Sequence, residues 1–207
     1  MKVLLFTNLF PNPSEPERGI FKFQLAKALS EHCEVTVISP LPWFPKFLAF
    51  KPFQRWAQFS KVPSFCELDG IKVYYPKYFL LPKVSEKIHP LFIKTCITPL
   101  IHKLHKINNF NVINSHWLYP DSVAITDIAD TLNIAHVATG SGCDVNRAFK
   151  EPSKLRQLLN AFSKIEKITA ISSEMKDTLI SYGINTENID TILNGVNGEK
   201  FKIKDKS

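Results

Sequence analysis

Val3-Leu4-Leu5-Phe6 runs into Thr7-Asn8 and a polar, proline-marked loop to Gly19; Phe21, Leu25 and Leu29 follow at helical spacing. A short, continuous apolar run is what a strand covered on both faces requires, and such strands belong to parallel sheets. The stripe at helical spacing supplies a cover for one face. Glu34 to Ser39 is a second, β-branched strand, so the first 39 residues read as strand, helix, strand.

The alternation continues. Val73 to Tyr75, announced by the Asp69-Gly70 turn, reads as a strand, as do Val112-Ile113, Ala135 to Thr139, Ile168 to Ile171 and Ile189 to Leu193. Apolar stripes between them mark helices. One carries Ile125, Ile128, Ala129 and Leu132, the next Leu155, Leu158, Leu159 and Phe162 after Pro152. The last carries Met175, Thr178, Leu179 and Tyr182 and ends at Gly183, a residue suited to a left-handed cap. Pro120 suits the first position of the helix after Val112-Ile113, with Asp121 in its first turn, where the helix dipole favours an acid. The expected fold is α/β: a doubly wound, mostly parallel sheet with helices on both faces. Ligands of such sheets bind beyond the carboxyl ends of the strands, so the loops of interest are 7–19, 115–121 and 139–147.

Two segments depart from the pattern. Residues 40–60 combine four prolines with Trp43, Phe44, Phe47, Phe50, Phe53, Trp56 and Phe59, interleaved with Lys46, Lys51 and Arg55. Residues 85–107 read as two helical pieces divided at Pro99. Together they form an aromatic and basic helical insertion at about 40–107. Aromatic and basic side chains in alternation suit the boundary of an anionic membrane, with Trp43, Phe44, Lys46, Phe47, Lys51, Arg55 and Trp56 as the contact residues. The other reading packs these aromatics on the sheet or along a binding groove.

Hydrophobic residues make up 44% of the chain and charged residues 22%, enough for a real core in one domain. The formal net charge of +7 favours anionic partners, or it reflects solvated lysines on a mildly basic protein. The basic residues form no long run and match no nucleic-acid motif, so no nucleic-acid partner is expected. Cys33, Cys66, Cys96 and Cys143 are far apart in sequence and read as separate thiols in a reducing compartment. The opening apolar run is too short for a signal peptide and no stretch reaches a membrane span, so a cytoplasmic protein is expected, peripheral on the inner face of the cell membrane.

In loop 7–19, a glycine before a helix lets backbone N–H groups approach a phosphate, with Arg18 beside Gly19. Asn8-Leu9-Phe10-Pro11 through Arg18-Gly19-Ile20-Phe21 resembles the opening of family-4 glycosyltransferases of the GT-B fold. His116-Trp117-Leu118-Tyr119-Pro120-Asp121 also resembles that family, and Thr139-Gly140-Ser141-Gly142-Cys143-Asp144-Val145-Asn146 is similar to its T-x-x-G-S-D-V-N stretch. Ile171-Ser172 with Ile192-Leu193-Asn194-Gly195-Val196 is similar to the strand and turn leading into its second domain. The four matches follow in order along nearly the whole chain.

The resemblance implies a Rossmann-like half of a GT-B fold: an amino-terminal, acceptor-side domain over residues 1–196, with 197–207 as the start of a linker. It implies that the carboxyl-terminal donor-binding domain is absent from this chain and supplied in cis or in trans. It implies a retaining, hexosyltransferase-like transfer from a nucleotide-sugar, the donor being a substrate, to a polysaccharide or lipid-linked acceptor. No cofactor and no metal are implied, and the chain alone is expected to be nearly inactive. On this resemblance His116 and Asp144 are the catalytic residues. Arg18, Gly19 and Gly142 form the donor-phosphate loop, and Asn8, Trp117, Asp121 and Asn146 line the acceptor cleft. Cys143 stands where the family carries Ser, and Ser141 where many relatives carry His or Arg.

Plainer roles stand beside these. His116 could be a bonded histidine at a strand end, Asp121 a first-turn acid, Asp144 and Asn146 loop-turning residues, and Ser172 a helix cap. No D-x-D, P-loop or complete dinucleotide fingerprint occurs, which sets aside metal-dependent GT-A transferases, P-loop enzymes and dehydrogenases. His102 and His105 lie three apart without a nearby carboxylate and read as surface residues. The alternative from another class is a non-catalytic acceptor-binding or docking subunit of a split transferase.

Overall fold

The structure, a computed structural model, describes residues 1–43, 58–80, 86–196 and 198, without the side chains of Glu86 and Cys143. The strands are β1 (Lys2–Phe6), β2 (Glu34–Ile38), β3 (Leu41–Trp43), β4 (Phe65–Leu68), β5 (Ile71–Tyr74), β6 (Lys77–Phe79), β7 (Val112–His116), β8 (Ala135–Thr139), β9 (Lys167–Ala170) and β10 (Ile189–Thr191). The helices are α1 (Ile20–Ser30), α2 (His89–Asn108), α3 (Val123–Thr131), α4 (Cys143–Ala148), α5 (Pro152–Phe162) and α6 (Ser173–Ser181).

Eight strands form one sheet in the order β10-β9-β8-β7-β1-β2-β5-β4. Every pairing is parallel except that of β4 with β5. Strand β1 is central, and its apolar run is used on both faces. Leu4 and Phe6 pack under α2 and α3 with Ile93, Ile97, Ile101, Ala124 and Ile125. Leu5, between them, points to the other layer with Phe10, Ala26, Val37, Phe59 and Val73. A third cluster joins β8 and β9 to α5 and α6 through Ala138, Leu158, Phe162, Ile168, Met175 and Leu179. The order reverses direction between β1 and β7, so this is a doubly wound sheet with its switch point there.

The expected alternation holds, as do two of its signals. Ser172 caps α6, its hydroxyl accepting from the Met175 N–H at 3.1 Å, and Gly183 follows with φ 87°. Asp69-Gly70 forms the two-residue turn of a β4–β5 hairpin, both residues at positive φ, which the strands' twist requires of so tight a loop.

Other expectations are corrected. Strand β4 and the small parallel pair of β3 with β6 have no clear sequence signal. The stretch 85–107 is not divided at Pro99: the proline lies inside one continuous α2, on its exposed side, after a short 3-10 turn at Glu86–Ile88. The buried row Ile93, Ile97, Ile101 and Leu104 holds that helix on the sheet through the proline. The stretch read as an insertion supplies β4 and β5 to the main sheet and α2 to one of its layers. Helix α3 does not begin at Pro120. Residues Leu118–Ser122 form an irregular turn with Tyr119 extended and a cis Tyr119–Pro120 bond. In α1 the stripe is displaced by one residue: Phe21 is 55% exposed, while Lys22 and Ala26 face inward.

Beneath the β7–β8 edge runs a polar network. Ser115 Oγ lies 2.7 Å from both Ser122 Oγ and His136 Nε2, and Thr126 Oγ1 donates to the Ser122 carbonyl at 2.6 Å. His136 is 1% exposed, and burial pushes its pKa down to about 4. The unfolded chain therefore takes up a proton below about pH 6.5 that the folded chain refuses, so this contribution is intact above that pH and is lost as pH falls towards 4. Burial raises Asp121 and Asp144 and gives them the opposite sign. Comparison with His136→Asn isolates the histidine. Urea unfolding of the wild type should lose about 2–3 kcal/mol more than the variant between pH 6.5 and 4.5. Equal pH slopes would show that His136 carries none of the acid sensitivity.

Candidate functional site

Strands β1 and β7 stay paired to Phe6 and Ser115 at their carboxyl ends, and three loops meet beyond them. Loop 7–19 follows β1, the Trp117–Ser122 turn follows β7, and residues 140–145 follow β8. The main chain and buried acids stitch them together. Asp121 is fully buried, and its Oδ2 accepts the Asn8 N–H at 2.9 Å. Asp144, 4% exposed, accepts from Leu118 N at 2.6 Å, Ser141 N at 3.0 Å and Val145 N at 3.1 Å. Arg18 donates to the Asn8 carbonyl and to Glu15, both at 3.0 Å, while its guanidinium lies 5.3 Å from the Phe59 ring centre. Gly19 has φ 62°, and a Cβ there would overlap the Leu9 carbonyl. The glycine thus locks the loop's exit against its entrance at the start of α1.

At the centre, His116 ends β7 with 3% exposure, and its Nδ1 lies 2.7 Å from Lys22 Nζ. Burial lowers the Lys22 pKa to about 8, against the pull of the Asp144 and Asp121 carboxylates. Burial, with the Lys22 charge added, holds His116 well below its ordinary value, so the ring is neutral. Burial raises Asp121 well above the carboxylate range, the Asp144 charge pushing further, while the Asn8 N–H and Arg18 oppose. Asp144 is raised by burial against its three amide bonds.

Buried polar atoms without a protein partner are rare. Among the described residues, seven of nine lie around these strand ends: Asn12 Nδ2, Arg18 Nε, Ser39 Oγ, His116 Nε2, Trp117 Nε1, Asp121 Oδ1 and Ser141 Oγ. Trp117 also holds φ 82°, a left-handed value that is costly for a bulky residue. Strain and unpartnered polar atoms concentrate at the switch point, where a polar ligand can meet them. A shallow hollow beside Arg18, lined also by Leu9, Glu15, Pro16 and Glu17, opens on the same loop.

The structure thus brings together Asn8, Arg18, Gly19, His116, Trp117, Asp121 and Asp144. Asp121 lies in the irregular turn before α3 and not in that helix's first turn, and it is a buried tie between two loops. Asp144 bonds backbone, as its loop-turning reading holds, and joins two loops in doing so. Gly142 precedes α4 beside them, and Asn146 is exposed on α4, outside the buried cluster. Lys22 was missed. Its signal was the single charge one residue past the apolar Phe21, on a helix whose inward face was assigned to that phenylalanine. Of the membrane-contact residues, Trp43 is 38% exposed against Phe79. Phe44, Lys46, Phe47, Lys51, Arg55 and Trp56 lie outside the described residues. Phe59, from the same aromatic run, is in the core. No helix among the described residues is long and apolar enough to cross a membrane.

The doubly wound sheet, with the structural likenesses below, is a Rossmann-like half of a GT-B fold. The chain belongs to Glycosyltransferase Family 4, whose model matches residues 23–200. It is 26% identical over 151 residues to the putative teichuronic acid biosynthesis glycosyltransferase TuaC of Bacillus subtilis, covering 70% of this chain and 37% of that protein. Among solved structures, sucrose-phosphate synthase of Thermosynechococcus elongatus matches with a TM-score of 0.62 at 10% identity, over 97% of this chain and 92% of that one. HepE of Anabaena, in complex with UDP and glucose, matches with a TM-score of 0.59 at 15% identity, over 96% of this chain and 46% of that one. UDP-GlcNAc 2-epimerase of Methanocaldococcus jannaschii matches with a TM-score of 0.57 at 14% identity, over 94% and 46%. The structural likenesses are of fold, and the chain spans less than half the length of the curated relative.

Proposed function

We propose that this chain is the acceptor-side half of a retaining glycosyltransferase that moves a sugar from a nucleotide-sugar to a polysaccharide or lipid-linked acceptor. The observation that carries the reading is the buried Lys22–His116 pair at the β1–β7 switch point, ringed by polar atoms that have no partner among the described residues, in a chain of this family. The relative named for teichuronic acid biosynthesis supports a surface-polymer acceptor, and the neighbour holding UDP and glucose supports a UDP-sugar donor. His116 meets the transferring sugar. Arg18 and the start of α1 at Gly19 stabilise the leaving diphosphate through charge and backbone N–H groups, which is electrostatic catalysis. Asp121 and Asp144 hold the loops that carry these groups. The donor's remaining contacts come from a second domain, in cis or in trans, so this half alone turns over very slowly. A lipid-borne acceptor fits the exposed pair Trp43 and Phe79, backed by the half-buried Phe92 at the start of α2.

The test is transfer of radiolabelled sugar from UDP-sugars to an extract of cell-envelope acceptors by the complete protein from its source cells. His116→Ala should lower kcat by about 10²–10³-fold, the usual loss of one hydrogen-bond donor at a transition state. No transfer by the wild-type protein from any nucleotide-sugar would overturn the reading and leave a docking subunit. The intact mass of the native protein tells whether the donor half is joined in cis.

A further inference from the structure

We infer that Lys22 is a positioning residue that fixes the proton of His116 on Nε2, so that the imidazole meets a ligand oxygen as a hydrogen-bond donor and never as a base. The inference rests on the proposed transfer site for the identity of that oxygen, a hydroxyl of the sugar, but not for the state of the ring.

The geometry leaves one arrangement of protons. Lys22 Nζ stands 2.7 Å from Nδ1, in direct contact, with both side chains buried. An ammonium has three donors and no acceptor, so Nδ1 must accept and can carry no proton of its own. A neutral ring then holds its one proton on Nε2. A second proton is refused, because the ring is 3% exposed and already faces a cation. Among the described residues Nε2 is buried and has no partner, so its N–H is left to a ligand that reaches past the loops beyond the end of β7. Without the lysine the same ring could bond through either nitrogen, and half of that ensemble would present a lone pair where a donor is needed.

The charge on Lys22 is itself held by its surroundings. Asp144 at the start of α4 and Asp121 in the turn after β7 favour the ammonium, and His116 on β7 accepts from it. Behind them, Arg18 on the loop before α1 and Tyr78 on β6 face Asp121. Burial works against these charges and brings the Lys22 pKa to about 8. The constraint on the ring therefore holds at neutral pH and relaxes in mild alkali, when a neutral amine can accept from Nδ1–H as readily as donate.

Nitrogen NMR of the 207-residue chain labelled at histidine tests this, with His116→Asn identifying the resonances. At pH 7 the wild-type ring should show a protonated Nε2 and a bare Nδ1, passing to a mixture of tautomers as pH rises through about 8. Lys22→Met should show the mixture already at pH 7. Lys22→Arg, whose guanidinium donates to Nδ1 and has no acceptor, should keep the single tautomer and remove its alkaline transition. A wild-type ring protonated on Nδ1 would overturn the inference, and so would a Lys22→Met ring that keeps Nε2–H. If the methionine variant fails to fold, the wild-type titration decides: a tautomer ratio flat from about pH 6.5 to about 9.5 overturns it. Because the readout is the ring, a protein that transfers no sugar yet shows these tautomers would remove the proposed function and leave the role of Lys22 standing.

Discussion

Gly19→Ala should destabilise the chain by roughly 2–4 kcal/mol, of which about 1–2 is left-handed backbone strain and the rest displaced main chain. Gly19 sits at φ 62°, ψ 32° immediately before α1, and an added methyl group would overlap the Leu9 carbonyl and lie 3.0 Å from Phe10 N. Neither obstacle is the end of a flexible side chain, so loop 7–19 itself must move. That loop carries the Asn8 N–H to Asp121 and the Asn8 carbonyl to Arg18, and the next turn of α1 carries Lys22 to His116. Gly70→Ala is the control. Gly70 also has positive φ, at 81°, but no atom lies within 4 Å of its would-be Cβ. Only the strain applies there, about 1–2 kcal/mol. Urea unfolding of both variants measures the difference; equal losses would mean that the packing of Gly19 on Leu9 contributes nothing.

The contrast between these two glycines shows what a sequence discloses. Asp69-Gly70 was legible because turn chemistry is local: two residues that tolerate positive φ, between two short strands, make a hairpin. The parallel sheet was legible for a related reason, since Val3-Leu4-Leu5-Phe6 leaves no solvent face. That Gly19 touches Leu9 was not legible, because it depends on how the whole of loop 7–19 closes. The buried pair of Lys22 with His116 was hidden more deeply. A lysine on a helix reads as solvated, and Phe21 beside it reads as the core contact. The helix is rotated by one position because Ala26 and Phe23 fit over Phe10 and Val37, leaving Phe21 outside with Lys22 turned in. Only tertiary packing sets that rotation. Asp121 misled in the same way: an acid after a proline fits a first helical turn, and nothing local reveals an amide 113 positions earlier. The three loops that meet there were nevertheless legible, since ligands of a parallel α/β sheet bind beyond the carboxyl ends of its strands.

Asp144→Ala should cost about 2–4 kcal/mol at neutral pH, and Asp144→Asn about half of that. The carboxylate accepts three backbone N–H groups, two of them buried, and leaving a buried donor without a partner costs about 1–3 kcal/mol each. Part of this is offset, because burial already disfavours the ionised acid and its removal relieves that penalty. Asparagine keeps one acceptor oxygen but turns an amide N–H₂ towards donors on the other side, which accounts for its intermediate place. Chemical denaturation at pH 7 orders the three proteins; an alanine variant within about 0.5 kcal/mol of wild type would remove Asp144 from the framework of the site. The two substitutions also reach the chemistry. Asp144 is the stronger of the two acids that favour the Lys22 ammonium, so its loss should carry the Lys22 pKa below about 8. The alkaline release of His116 then moves towards neutral pH in Asp144→Asn, even though that variant retains most of the fold. A buried acid two loops away from the imidazole thus sets the pH at which the imidazole is a dependable donor. This gives Asp144 a reason to sit in the crevice beyond bending its own loop.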